Sequence, residues 1–156
     1  MTIIEDSRQK IGSHELKRSA WEAHGDQVVR CALPCGDYAL PPKVAVDTKA
    51  NMAEIAGNIG GSREEHERFK RELIRARDMG TRLIILVEND EGVRSIEDVT
   101  RWVNPRLALS PKAITGDRLA KAMRTMEQRY GCRFVFCRPQ EAAAAVSCLL
   151  NSEVKD

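Results

Sequence analysis

Aromatic residues are scarce in this chain of 156 residues, at 4% of the total. That scarcity argues against a base-stacking platform for single-stranded nucleic acid, which needs several ring faces in succession. Long apolar runs are missing too. None approaches the roughly 18 residues of a membrane helix, and the opening MTIIEDSRQK has no apolar leader core. The expectation is a cytoplasmic protein with no membrane association. The five cysteines (Cys31, Cys35, Cys132, Cys137 and Cys148) are odd in number and have no C-x-x-C spacing. This excludes a disulfide framework and a zinc module, and buried free thiols are the reading. Cys31 and Cys35 could clip a metal, but the rest of a ligand set is absent. An excess of one charge sign is also lacking: 25 Lys and Arg stand against 23 Asp and Glu, for a net charge of +2. Bulk electrostatics therefore does not announce a polyanionic partner, although a local patch would suffice to bind one.

What is present reads as one α/β domain over residues 1–151 with a frayed tail at 152–156. TIIE is a buried strand running into Asp6. SHELKRSAWEAHG is a helix capped by Ser13 and stopped at Gly25, with Leu16, Ala20 and Ala23 or His24 at helical spacing. QVVRCAL is a strand. GDYAL and KVAVDTK are two arms around Pro41 and Pro42, which cannot sit in the centre of a sheet. ANMAEIAGNIGGS reads as a short helix running into a glycine-rich loop. EEHERFKRELIRARDMG is a helix with Phe69, Leu73 and Ala76 on one face and a glycine cap at Gly80. RLIILVE, an unbroken apolar run, is a strand covered on both faces. SIEDVTRWVNP opens with a Ser95 to Asp98 capping pattern and ends at Pro105. A helix closed by Gly131, the strand CRFVFC and a final helix with Pro139 near its start complete the chain. Alternating helices and strands imply a central mixed sheet flanked by helices.

The stretch GDYALPPKVAVDTK carries the chemistry. Taken as a hairpin turning near Pro42, it sets Asp37 across from Asp47. Opposed residues have Cβ atoms roughly 4.5–5.5 Å apart, and like charges so placed destabilise the pair. A hard divalent cation reverses that penalty, because it takes carboxylate oxygens. Strand alternation puts Val44, Val46 and Thr48 on one face and Asp47 and Lys49 on the other. Lys49 then stands beside the carboxylates, where an ammonium can orient an attacking water or offset charge on a phosphate. Asp6 could add a third carboxylate, and Gly36 leaves room beside Asp37. On spacing alone, a solvated rim with Lys49 as local neutraliser is the simpler reading of these residues.

In order along the chain, IIEDSRQ, GDYALPPKVAVDTK, RFKRE and RLIILVE resemble the XPF-type nuclease domain of the PD-(D/E)xK superfamily. That pattern is a D-x-R-E after the first strand, then G-D, a V-E-R-K strand, an R-L-x-x-Q helix start and an apolar strand ending in glutamate. The resemblance spans nearly the whole chain. It implies a restriction-endonuclease-like core and a Mg²⁺- or Mn²⁺-dependent endonuclease acting on branched DNA (forks, flaps or junctions) in repair and recombination. It also implies a homodimer, formed through the later helices and CRFVFC. Carried over, Asp37 and Asp47 are the metal ligands, Lys49 the water-orienting group, and Asp6 and Arg8 the D-x-R pair, with Arg8 touching DNA. Arg68 and Glu72 correspond to the arginine and glutamine of R-L-x-x-Q, with Arg68 toward DNA and Glu72 beside the site. The chain departs from the pattern at Gln9, which replaces an acid, at Thr48, which replaces an arginine, and in the acid that follows, for which Glu54 is the nearest candidate. No helix-hairpin-helix module follows, which implies a stand-alone nuclease domain.

Simpler readings accompany the other candidates. Arg68 and Glu72, four apart on a helix, suit a surface ion pair. His66 reads as a helix-surface histidine, Trp21 and Trp102 as packing residues, and the basic run RFKRELIRAR as a solvated face able to lie along a DNA backbone. GNIGGS lacks the lysine and hydroxyl of a phosphate-binding loop and reads as a flexible connection near DNA. A catalytically silent DNA-binding or dimerisation subunit of the same fold is the rival function.

Overall fold

A computed structural model describes residues 2–12, 14–40 and 44–152. The expected cap at Ser13, the turn at Pro41 and Pro42 and the end of the tail lie outside the described residues. The strands are β1 (Thr2–Asp6), β2 (Gln27–Cys31), β3 (Tyr38–Leu40), β4 (Val44–Lys49), β5 (Arg82–Glu88) and β6 (Arg133–Cys137). The helices are α1 (Glu15–Ala23), α2 (Met52–Gly60), α3 (Arg63–Asp78), the single turn α4 (Ile96–Val99), α5 (Gly116–Tyr130) and α6 (Ala142–Ser152). Short 3₁₀ turns cover Pro105–Ala108 and Pro139–Glu141.

The strands form one mixed sheet in the order β2-β1-β3-β4-β5-β6. Only β3 runs against its neighbours, so β1, β4 and β5 end along the same edge. The unbroken run in β5 is buried on both faces. Leu83, Ile85 and Val87 join a core with α2, α3 and α5, whereas Ile84 and Leu86 join a second core with α1 and α6. A strand paired on both sides and covered above and below has no use for alternation, which is why its sequence shows none.

Two expectations are corrected. Helix α1 does not bury Leu16 and Ala20; Leu16 is 89% exposed, and the buried side chains are Lys17 and Trp21. Trp21 stacks edge-on against Tyr38 at 5.0 Å, and its indole N–H donates to the Ala143 carbonyl. A large ring with a satisfied donor outweighs small alanines in setting the helix orientation. The glycine-rich segment is not a loop either. Helix α2 continues through Gly60, and Gly61 joins it to the Ser62 cap of α3. A Cβ on Gly60 would come within 2.6 Å of the Ile114 side chain, so this glycine serves close packing.

Candidate active site

The hairpin register pairs Tyr38 with Val46, Ala39 with Ala45 and Leu40 with Val44. Beyond the pair of Tyr38 and Val46 the regular register ends, because the Asp37 N–H donates to the Val46 carbonyl at 2.8 Å and Asp37 packs beside Val46 at the mouth of the hairpin. The turn before β3 depends on Gly36, whose φ is +72°. A Cβ there would meet the Ala45 Cβ at 3.0 Å and the Val46 carbonyl at 3.2 Å. The space at Gly36 is therefore filled by the backbone and side chains of β4 and β5. Glu72 of α3 fixes the turn from the side by accepting the Gly36 N–H at 2.9 Å.

A cleft of about 360 Å³ opens at the strand ends. Asp37, Asp47, Thr48 and Lys49 line it with Gln9, His14, Lys17, Glu54 and Glu88. In open α/β sheets ligands bind outside the carboxyl ends of the strands, and this cleft has that position. Asp47 and Lys49 share the face of β4 that carries Ala45 toward α2 and α3, and the Lys49 ammonium lies 5.5 Å above the Phe69 ring. Asp37 is locked by Thr48, whose backbone N–H and hydroxyl donate to the same carboxylate oxygen at 2.7 and 2.8 Å. Glu54 holds the start of α2 by accepting the Ala50 N–H, and its other oxygen is 4.0 Å from Lys49.

The electrostatics centre on Asp47. Its side chain is 7% exposed, with Lys49 Nζ 2.8 Å from Oδ2. That ammonium is the one side-chain partner found for Oδ2 among the described residues, so the buried carboxylate is held by a single charge-assisted contact. Burial pushes the Asp47 carboxyl well above the usual range; Lys49 opposes this, and Asp37 and Glu72 reinforce it. For Lys49, burial opposes the charge, but Asp47 more than restores it, so the ammonium is held firmly protonated. Both partners titrate upward, and the direction for the pair is that of a desolvated carboxyl beside a secure cation. Among the described residues no three His, Cys, Asp or Glu side chains come close enough to hold a metal by themselves. Magnesium does not require that, since it binds through one or two carboxylates and retains several waters. A buried carboxylate that shares an open cleft with a second carboxylate, close enough for their like charges to oppose ionisation, fits a hard divalent cation.

The remaining expected residues lie around the cleft. Asp6 does not line it. Its carboxylate accepts from the Arg8 N–H, the Arg8 guanidinium and the Leu33 N–H, while its own N–H donates to the Asp37 carbonyl at 2.7 Å. Burial alone would lift the Asp6 carboxyl, but these bonds hold it below its ordinary value. Arg8 also reaches the Leu33 carbonyl, and its side chain is 60% exposed. Arg68 is exposed on α3 and makes no ion pair with Glu72 among the described residues. The His66 ring hydrogen-bonds the Ile59 carbonyl near the end of α2. Sequence reasoning missed Lys17, Glu88 and His14 as cleft residues; the glutamate closing the β5 run was the one available signal.

A family model for the ERCC4 domain matches residues 6–150. The chain belongs to the ERCC4-domain family. Two solved structures are similar to it over 99% of its length at 20% identity: XPF from Aeropyrum pernix, with a TM-score of 0.70, and XPF from Aeropyrum pernix in complex with DNA, with a TM-score of 0.68. The chain spans 66% and 65% of those two proteins, and at that identity the likeness establishes the fold, an XPF-type nuclease core. No curated protein sequence matches the chain.

Proposed function

We propose that this ERCC4-family chain is a divalent-metal-dependent DNA endonuclease that hydrolyses phosphodiester bonds in branched DNA during repair or recombination, in the cytoplasm and as a homodimer. The observation that carries the reading is the buried Asp47 carboxylate, paired with Lys49 and lining one cleft with Asp37. Asp37 and Asp47 would hold the cation, with a backbone carbonyl at the end of β4. A bound Mg²⁺ or Mn²⁺ supplies Lewis-acid polarisation of the scissile phosphate and acidifies water at the site. Lys49, fixed between Asp47 and the face of Phe69, orients the attacking water and offsets charge developing on the phosphate. Glu72 maintains the turn that presents Asp37. Asp6 fixes the root of Arg8, whose exposed guanidinium reaches a backbone phosphate, and exposed Arg68 extends the contact along α3. The open edge of β6, last in the sheet order, supports pairing with a second copy.

The test uses labelled forked, four-way-junction and linear duplex DNA with Mg²⁺, Mn²⁺ or chelator, and Asp47→Ala and Lys49→Ala beside the wild type. Metal-dependent cleavage of branched DNA that both substitutions abolish is the expected result. No cleavage by wild type in either metal sinks the enzyme reading, and binding of branched DNA without cleavage marks a silent subunit. Cleavage untouched by both substitutions would place the site elsewhere.

A further inference from the structure

The cleft has a second wall. Lys17 of α1 places its ammonium 2.5 Å from Glu88 Oε1 at the end of β5, and the two side chains are 11% and 10% exposed. Both line the same cleft as Asp37, Asp47 and Lys49. They approach from the opposite face of the sheet. Asp47 and Lys49 follow Ala45 on the side of α2 and α3, whereas Glu88 follows Ile84 and Leu86 on the side of α1 and α6. Thr48, on that second side, holds the Asp37 carboxylate, so Asp37 stands between two buried lysine–carboxylate pairs.

Fold stability does not explain the second pair. Buried ion pairs seldom repay their desolvation, and apolar replacements of similar volume are often neutral or stabilising. Helix α1 is already anchored by Trp21. Function explains the pair better. Four carboxylates, Asp37, Asp47, Glu54 and Glu88, face the cleft against two lysines, so a polyanion entering it needs positive groups on both walls. An ammonium has three donors and no acceptor. Glu88 is the one carboxylate paired with Lys17 among the described residues, which leaves donors for a ligand.

Building on the nuclease reading above, we propose that Lys17 is a substrate-contacting residue. Its ammonium binds a non-bridging oxygen of a backbone phosphate beside the scissile one, and Glu88 positions it. Lys49 serves the reacting phosphate on one wall and Lys17 its neighbour on the other.

The experiment measures binding of a forked oligonucleotide with Ca²⁺ across a salt series, and KM and kcat with Mg²⁺, for wild type, Lys17→Gln, Lys17→Arg and Glu88→Gln. One phosphate contact contributes about one unit to the slope of log K against log salt. Lys17→Gln is expected to flatten the slope by about one and raise KM by roughly tenfold with a much smaller change in kcat. Lys17→Arg restores the slope, and Glu88→Gln, which keeps the ammonium, retains it. A wild-type slope in Lys17→Gln, or equal losses in Lys17→Gln and Glu88→Gln, overturns the proposal. If Lys17→Gln fails to fold, the double replacement Lys17→Met with Glu88→Leu carries the same test, since an apolar pair spares the fold; a wild-type slope there is equally fatal. A wild type that neither binds nor cleaves any DNA removes the nuclease reading itself, a different result from an active wild type with an unaltered variant.

Discussion

Replacing Gly36 with alanine separates what the fold needs from what the site needs. The left-handed φ of +72° costs an L-residue about 1–2 kcal/mol. The added methyl group meets Ala45 Cβ at 3.0 Å, the Val46 carbonyl at 3.2 Å and Leu83 Cδ1 at 3.3 Å. None of these is the tip of a long flexible chain, so β3 must move off β4, and overpacking of this kind costs roughly 1–3 kcal/mol. The total expected loss is about 2–5 kcal/mol. Gly131 supplies the control. Its φ is +69°, but nothing lies within 4 Å of a Cβ there, so Gly131→Ala should lose only the backbone share, about 1–2 kcal/mol. Urea denaturation reads both. Activity should divide the two further. Asp37 follows Gly36 directly, and a displacement of about 1 Å at a reacting centre costs on the order of 100-fold in rate. Cleavage of forked DNA should therefore fall by about that factor in Gly36→Ala and stay near wild type in Gly131→Ala, both assayed well below their unfolding midpoints. Equal stability losses in the two variants would refute the steric reasoning. Full cleavage by a destabilised Gly36→Ala would refute the claim that this turn sets Asp37.

Without metal, the unfolded chain ionises Asp47 from the ordinary value of 3.8 upward while the buried folded carboxyl resists, so stability should drain as pH rises through that window. The urea midpoint of wild type relative to Asp47→Asn should fall from pH 4 toward neutrality, and Mg²⁺ or Mn²⁺ should raise the wild-type midpoint alone; parallel pH curves would refute this. Asp6 has the opposite sign: its folded carboxyl is held below 3.8, so its contribution is present above that value and lost as pH falls through the lowered one. Because Arg8 is largely exposed, Asp6→Asn should cost only about 1–3 kcal/mol at pH 7, with the deficit vanishing in acid, as chemical denaturation at several pH values would show. Glu72→Ala leaves the buried Gly36 N–H without its acceptor and should cost about 1–3 kcal/mol along with activity, whereas Glu72→Gln, which keeps a carbonyl oxygen there, should recover most of both in denaturation and cleavage assays.

What the sequence could and could not show follows from how far apart interacting groups lie along the chain. The hairpin register was legible because its information is local: two prolines mark the turn, and alternation on either side fixes which residues share a face. The β5 strand was legible because burial on both faces leaves a continuous apolar run. Asp47 and Lys49 were readable as a pair because a strand returns to the same side every second residue. Glu72 was harder. Its i,i+4 spacing from Arg68 pointed to a surface bridge, yet its partner is a backbone N–H in the turn before β3. Glycine misled in α2, where helix-breaking propensity stood against close packing on Ile114 and packing won.

Lys17 was hardest, for a related reason. A lysine four residues before a tryptophan on an otherwise polar helix reads as solvent-facing, because a buried ammonium is tolerable only beside a carboxylate. That carboxylate, Glu88, belongs to a strand that three strands and two helices separate from α1 in the sequence. Neither residue carries a local sign of the other, and the sheet alone brings them together. The same physics makes the pair informative once it is seen. A fold that needed only a covered helix face would have put a leucine at Lys17, and Leu16 next to it stands 89% exposed. Helix α1 is thus rotated so that its charge, rather than its leucine, enters the cleft.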